Sequence, residues 1–99
     1  MGNHATVQDI SALLAPVFEQ YQIRHAILFG SFAKGSANDQ SDVDLLVDSG
    51  LKGLRFVGFA EELRRVAERP VDIFDVTHIE SGSKIEREIQ KTGVTIYAR

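Results

Sequence analysis

Apolar residues Val7, Ile10, Leu13, Leu14, Val17, Phe18 and Tyr21 recur three and four apart. That spacing lines one face of a helix. Thr6 can cap it, and Asp9 makes an approximate capping pair, the usual partner being Glu or Gln. Pro16 lies inside the pattern and is expected to kink or split the helix, because it lacks an N–H and crowds the preceding turn. Residues 23–29 then read as a strand that ends on Gly30. The small, polar residues 31–41 form a loop with one helical turn. Residues 42–48 return to strand character, with Val43, Leu45 and Val47 on one face and Asp42, Asp44 and Leu46 on the other.

A second helix is expected over residues 54–68, with Val57, Ala60, Leu63, Val66 and Ala67 toward the core, and Pro70 stops it. Residues 71–76 give a third strand. Ser83 and Glu86 form a capping box that opens a third helix, Gly93 is placed to terminate it, and Val94–Ala98 closes the chain as a short strand. The connection from the first strand to the second is short enough for an antiparallel pair. The pattern therefore predicts an α/β (α+β) fold: a mixed sheet of about four strands with helices packed on it.

Composition narrows this picture. The 99 residues fit one domain, 1–99, with a single core. Fourteen acids against eleven bases give a formal charge of −3, which argues against gripping nucleic acid through a basic surface. Without cysteine there is neither a disulfide framework nor a thiolate metal site. No apolar run reaches the roughly 18 residues of a membrane span, and no signal peptide opens the chain, so a cytoplasmic protein is expected. Met1 to Thr6 matches a short myristoylation pattern, but Thr6 as a helix cap is the preferred reading.

The candidate chemistry lies in Gly30-Ser31, in Asp42-Val43-Asp44 and in Asp72. Asp42 and Asp44 project from one face of a strand and repel each other unless a cation relieves them. Oxygen ligands of this kind suit Mg²⁺ or Mn²⁺, and such an ion commonly arrives with a substrate phosphate. A glycine lets backbone approach that phosphate, and N–H groups of the following turn attract anions. Alone, an Asp-x-Asp can be a solvated strand end and a Gly-Ser an ordinary turn. The joint pattern, with ten residues between Ser31 and Asp42, is more specific.

That arrangement resembles the nucleotidyltransferase superfamily that includes DNA polymerase β, whose signature is Gly-Ser, a spacer, then Asp-x-Asp. Residues 28–35 (Leu-Phe-Gly-Ser-Phe-Ala-Lys-Gly) and 41–47 (Ser-Asp-Val-Asp-Leu-Leu-Val) resemble the minimal nucleotidyltransferase (MNT) group more closely. Arg69-Pro70-Val71-Asp72 is similar to the segment bearing that group's third carboxylate. The resemblance implies the polymerase β-like fold and a site for two Mg²⁺ ions. Asp42 and Asp44 would bind the nucleotide-associated ion, and both would share the second with Asp72. Asp72 would also help to activate the attacking hydroxyl. Ser31, with the backbone at Gly30, would hold the β- and γ-phosphates of ATP, and Lys34 is a candidate phosphate contact. Asp75 is the alternative third ligand, but strand parity puts it opposite Asp72.

Neighbouring motifs fail on inspection. Gly30, Gly35 and Ser36 begin like a P-loop but lack the lysine, and Leu46 stands where a calcium loop needs an oxygen. His4, His25 and His78 share no ligand spacing, and Arg64-Arg65 reads as an outer helix face.

Three functions compete. The resemblance implies an enzyme that transfers AMP from ATP to a tyrosine of a separately encoded HEPN-domain toxin, as an antitoxin. The expectation that a chain this short lacks the acceptor-binding domain of larger relatives assigns the acceptor to a partner. The alternative is an inactive module that regulates a partner by contact, which would have no need of mutually repelling carboxylates. A stand-alone transferase for a small hydroxylated molecule is the third. A short closing strand also leaves room for homo- or hetero-oligomers. Removing Asp42, Asp44 and Asp72 from the count leaves acids and bases in balance, so the formal deficit equals the candidate site.

Overall fold

The computed structural model describes residues 6–35 and 42–99. The myristoylation pattern, His4 and the spacer residues 36–41 therefore lie outside the described residues. The elements are α1 (Val7–Gln20), β1 (His25–Phe29), α2 (Ser31–Lys34), β2 (Val43–Asp48), α3 (Leu54–Ala67), β3 (Val71–Asp75), a 3-10 turn (Val76–His78), α4 (Lys84–Thr92) and β4 (Val94–Ala98). The sheet runs β3-β2-β1-β4. Strand β1 is antiparallel to both β2 and β4, whereas β2 and β3 are parallel and joined through α3.

One face of this mixed sheet carries Ala26, Leu28, Val43, Leu45, Val47 and Val71, all buried. Against it pack Ile10, Leu14, Val17 and Phe18 from α1 and Phe59 and Leu63 from α3, in one cluster. Each large side chain so buried contributes about 1.5–3 kcal/mol. The aromatic rings of Phe18, Phe59 and Tyr97 meet within this layer at tilted angles. The opposite face holds the alternate residues of β2 and supports α4.

Helix α1 starts as a full capping box. Asp9 N donates to Thr6 Oγ1 at 3.1 Å, and Thr6 N donates to Asp9 Oδ2 at 3.0 Å. Aspartate thus completes the motif despite its shorter reach. Of the kink or split expected at Pro16, the split does not occur: the helix runs through it. Pro16 and Ala12 both lie on the exposed side, where water can replace the bond that proline cannot make.

Helix α3 buries Phe59, Ala60, Leu63 and Ala67, while Val57 is 54% exposed, against the expectation that it faced the core. The inward stripe runs through Phe56, Phe59, Ala60 and Leu63, and Val57 stands about 100° from Phe56 around the axis. Gly93 does end α4, but with an extended backbone rather than a left-handed one. Its requirement is space. A Cβ there would lie 2.5 Å from Ile89 O and 3.0 Å from Ile27 Cγ2, so glycine lets the end of α4 sit directly on β1.

Asp75 shows how the core face treats a carboxylate. It is 5% exposed and accepts from Ser49 Oγ at 2.5 Å, from Thr77 N at 3.0 Å and from Thr77 Oγ1 at 2.8 Å. Burial pushes its pKa up, but these donors outweigh burial and hold it below the usual carboxylate value. A depressed folded-state pKa stabilises the protein above the unfolded value, and that stability is lost as pH falls through the folded value. Asp75→Asn is therefore expected to cost about 2 kcal/mol at neutral pH. In thermal melts from pH 7 down to pH 3, the gap between wild type and variant should narrow at the acid end.

Candidate nucleotide site

Strand registers assemble the site. In the antiparallel pair Phe29 lies opposite Asp44, and in the parallel pair Asp44 lies opposite Asp72. Gly30, the next residue of the chain, therefore passes over Asp44. Its φ of 78° and ψ of −148° belong to a region that essentially only glycine occupies. A Cβ on Gly30 would stand 2.4 Å from Asp44 Oδ2, so a second, steric reason demands glycine.

The four-residue helix α2 begins at Ser31, the single helical turn expected in this loop. Lys34 N donates to Gly30 O at 3.1 Å, and Gly35, with φ of 77°, closes the turn. Ser31 is half-buried at the first position, while Lys34 is exposed at the last. The Gly30 N–H donates to Thr92 Oγ1 at 2.9 Å. Gly30 thus supplies shape rather than a free donor. Behind the turn, the Arg69 guanidinium lies 4.9 Å from the Phe32 ring centroid, tying the start of β3 to α2.

Asp42 is exposed just before β2, and Asp72 is exposed on the edge strand β3. Both bear on Asp44. Its pKa is raised by partial burial first, then by the charges of Asp72, Asp42 and Glu88, and finally by a hydrogen bond in which a proton on Asp44 is donated to Asp72. Asp75 is elsewhere: it pairs with Val47 in the register and points into the core face. Of the two alternatives for the third carboxylate, the structure brings Asp72 to Asp44 and does not bring Asp75.

Glu88 was invisible to the sequence reading. It sits on α4 with Ile85, Ile89 and Thr92, a half-buried stripe at helical spacing. Polar residues on that inner stripe were the available signal. Among the described residues no three acidic or histidine side chains already converge as metal ligands. The donor set nevertheless fits a hard cation: oxygen-only groups that repel one another, which a bound cation would relieve.

The family described as Polymerase beta, Nucleotidyltransferase matches residues 13–99, the whole span from mid-α1 to the end of β4. The chain belongs to this nucleotidyltransferase family. Within it, the protein adenylyltransferase MntA of Thermococcus cleftensis is 30% identical over 83 residues, covering 78% of this chain and 84% of that protein. Among solved structures, a toxin–antitoxin complex with AMP-PNP superposes with a TM-score of 0.71 at 19% identity, covering 90% of this chain and 73% of that one. A tri-AMPylated Shewanella oneidensis HEPN toxin in complex with MNT antitoxin gives 0.67 at 17% identity, covering 95% and 74%. At such identities the superpositions speak for the nucleotidyltransferase fold.

The crowding at Asp44 has a measurable cost in the metal-free protein. A raised folded-state pKa destabilises the fold as pH rises through it, and the penalty vanishes below the unfolded value. Asp44→Asn removes the repelled charge. At pH 7 without divalent metal it should stabilise the protein by about 1 kcal/mol after solvent screening, roughly 4–8 °C in melting temperature. Calorimetric scans should show that gain shrinking toward pH 4.

Proposed function

We propose that this protein transfers AMP from ATP to a tyrosine hydroxyl of a HEPN-domain toxin and acts as its antitoxin. One observation carries the reading: Asp44 is held between the glycine backbone of a phosphate-type loop and a second carboxylate, Asp72, across a parallel register. The names of its relatives supply the direction of the chemistry, since the Thermococcus protein is called a protein adenylyltransferase.

Asp42, Asp44 and Asp72 would hold Mg²⁺, two ions in all, with Mn²⁺ as a substitute. When bound, the ions supply charge neutralisation for the triphosphate and for both oxygens of an in-line displacement. The chain's own residues do the rest. Ser31 and the first turn of α2 hold the β- and γ-phosphates, with exposed Lys34 at the rim of the loop. Asp72 is exposed on the edge strand β3, where an acceptor hydroxyl would have access to it. It takes the hydroxyl proton as the tyrosine oxygen bonds to the α-phosphorus. The bond from the α-phosphorus to the bridging oxygen breaks, and pyrophosphate leaves. Asp75 takes no part, because its oxygens are committed to Ser49 and Thr77. A cytoplasmic location would supply the ATP that this reaction needs.

Incubating the protein with its co-expressed HEPN partner, labelled ATP and Mg²⁺ should leave label on the partner, each addition increasing its mass by one AMP. EDTA should abolish labelling. Asp42→Ala, Asp44→Ala and Asp72→Asn should each lower the rate by about a hundredfold or more. Asp75→Asn should stay within a few-fold of wild type at a temperature where it is folded. Neutralisation of the partner without any transfer would instead establish the contact-only module.

A further inference from the structure

Helix α4 buries none of its residues fully, yet it is fastened to the candidate site at one point. That point is Thr92. Its Oγ1 accepts from Gly30 N at 2.9 Å and donates to Glu88 O, one turn back, at 2.9 Å. Threonine hydroxyls often bond back to the i−4 carbonyl in helices, and by itself such a bond is unremarkable. Here it has a directional consequence. With the hydroxyl proton committed to Glu88 O, the oxygen's lone pairs are turned toward Gly30. Gly30 is buried, so its N–H needs this acceptor.

Gly30 is then fixed on three sides. Thr92 holds its N–H, the first helical bond of α2 holds its carbonyl, and the Asp44 carboxyl closes the space over its Cα. The contact spans 62 positions of sequence, and Gly93 secures its far end by letting the backbone of α4 rest on Ile27. The geometry points to Thr92 as a positioning residue: its hydroxyl sets the orientation of the Gly30-Ser31 turn against Asp44 and hence the placement of the nucleotide phosphates. This inference rests on the proposed transfer reaction. The structural consequence at Gly30 does not.

Thr92→Val keeps the branched shape and removes only the hydroxyl, while Thr92→Ser keeps the hydroxyl. In the nucleotide-free protein, amide hydrogen exchange followed by NMR should show faster exchange at Gly30 in the Val variant and wild-type protection in the Ser variant. In the transfer assay the Val variant should show a raised KM for ATP and lose about tenfold to a hundredfold in kcat/KM for ATP, the loss expected of a reacting group displaced by about an ångström. KM for the acceptor protein should not change. A merely structural role would reduce the active fraction and lower kcat, with both KM values untouched. Unaltered Gly30 exchange, or wild-type kcat/KM for ATP in a folded Val variant, overturns the assignment. Should the Val variant fail to fold, a folded Ser variant that has lost tenfold or more in transfer overturns it equally. If wild type itself transfers no AMP, the reaction reading fails, and the exchange experiment still decides what Thr92 does to Gly30.

Discussion

The approach of the Gly30 backbone to the Asp44 carboxyl is the constraint on which the candidate site depends. It is a product of sheet register. Pairing Phe29 with Asp44 sends the chain over that carboxyl at the next residue, and a side chain there would collide with it. The parallel register of β2 and β3 then sets Asp72 beside the same group. A slip of one residue in either ladder would turn the relevant side chains to the other face. The hydrophobic core guards against such a slip, because Val43, Leu45 and Val47 would have to leave it. Packing on one face of β2 therefore fixes the placement of Asp44 on the other.

Two aspartates three residues apart on β3 show what a face decides. Asp75 enters the core side and finds donors from Ser49 and Thr77, so its charge is stabilised and structural. Asp72 leaves on the site side and meets other carboxylates, so its charge works against the metal-free fold. The residue type is the same. Parity along the strand separates the two roles, and the shifts of Asp75 and Asp44 in opposite directions follow from it.

Much of this was legible in the chain. Alternation along β2 assigned the faces of Val43 and Asp44, and the parity of β3 separated Asp72 from Asp75. Those readings rest on a period of two, which tolerates little ambiguity over five or six residues. Helix α3 was harder. Its apolar residues cover more than one stripe, so pattern alone admitted Val57 to the core, while the bulk of Phe59 decided the rotation. Glu88 and Thr92 escaped for a different reason. Their helix is strongly polar and only half-buried, and what matters about them is a contact with β1 and β2 distant in sequence. Local pattern carries no record of such a contact. Gly93 was noticed as a helix end, but its reason, the closeness of Ile27, is tertiary too.

The charge count also changes meaning once the fold is known. By sequence, the formal deficit of −3 equals Asp42, Asp44 and Asp72. The structure adds Glu88 to Asp72 and Asp42 as charges acting on Asp44, and these four acids outnumber the net charge of the whole chain. The remainder of the surface is therefore slightly basic in sum, and the negative potential is local. A concentration of this kind neither attracts a polyanion nor favours the empty fold. Such a concentration suits a divalent cation, whose charge would offset the repulsion at Asp44. Asp44 is repelled by its neighbours in the metal-free protein, and a cation that relieved that repulsion would bind the folded state in preference to the unfolded one and so stabilise it.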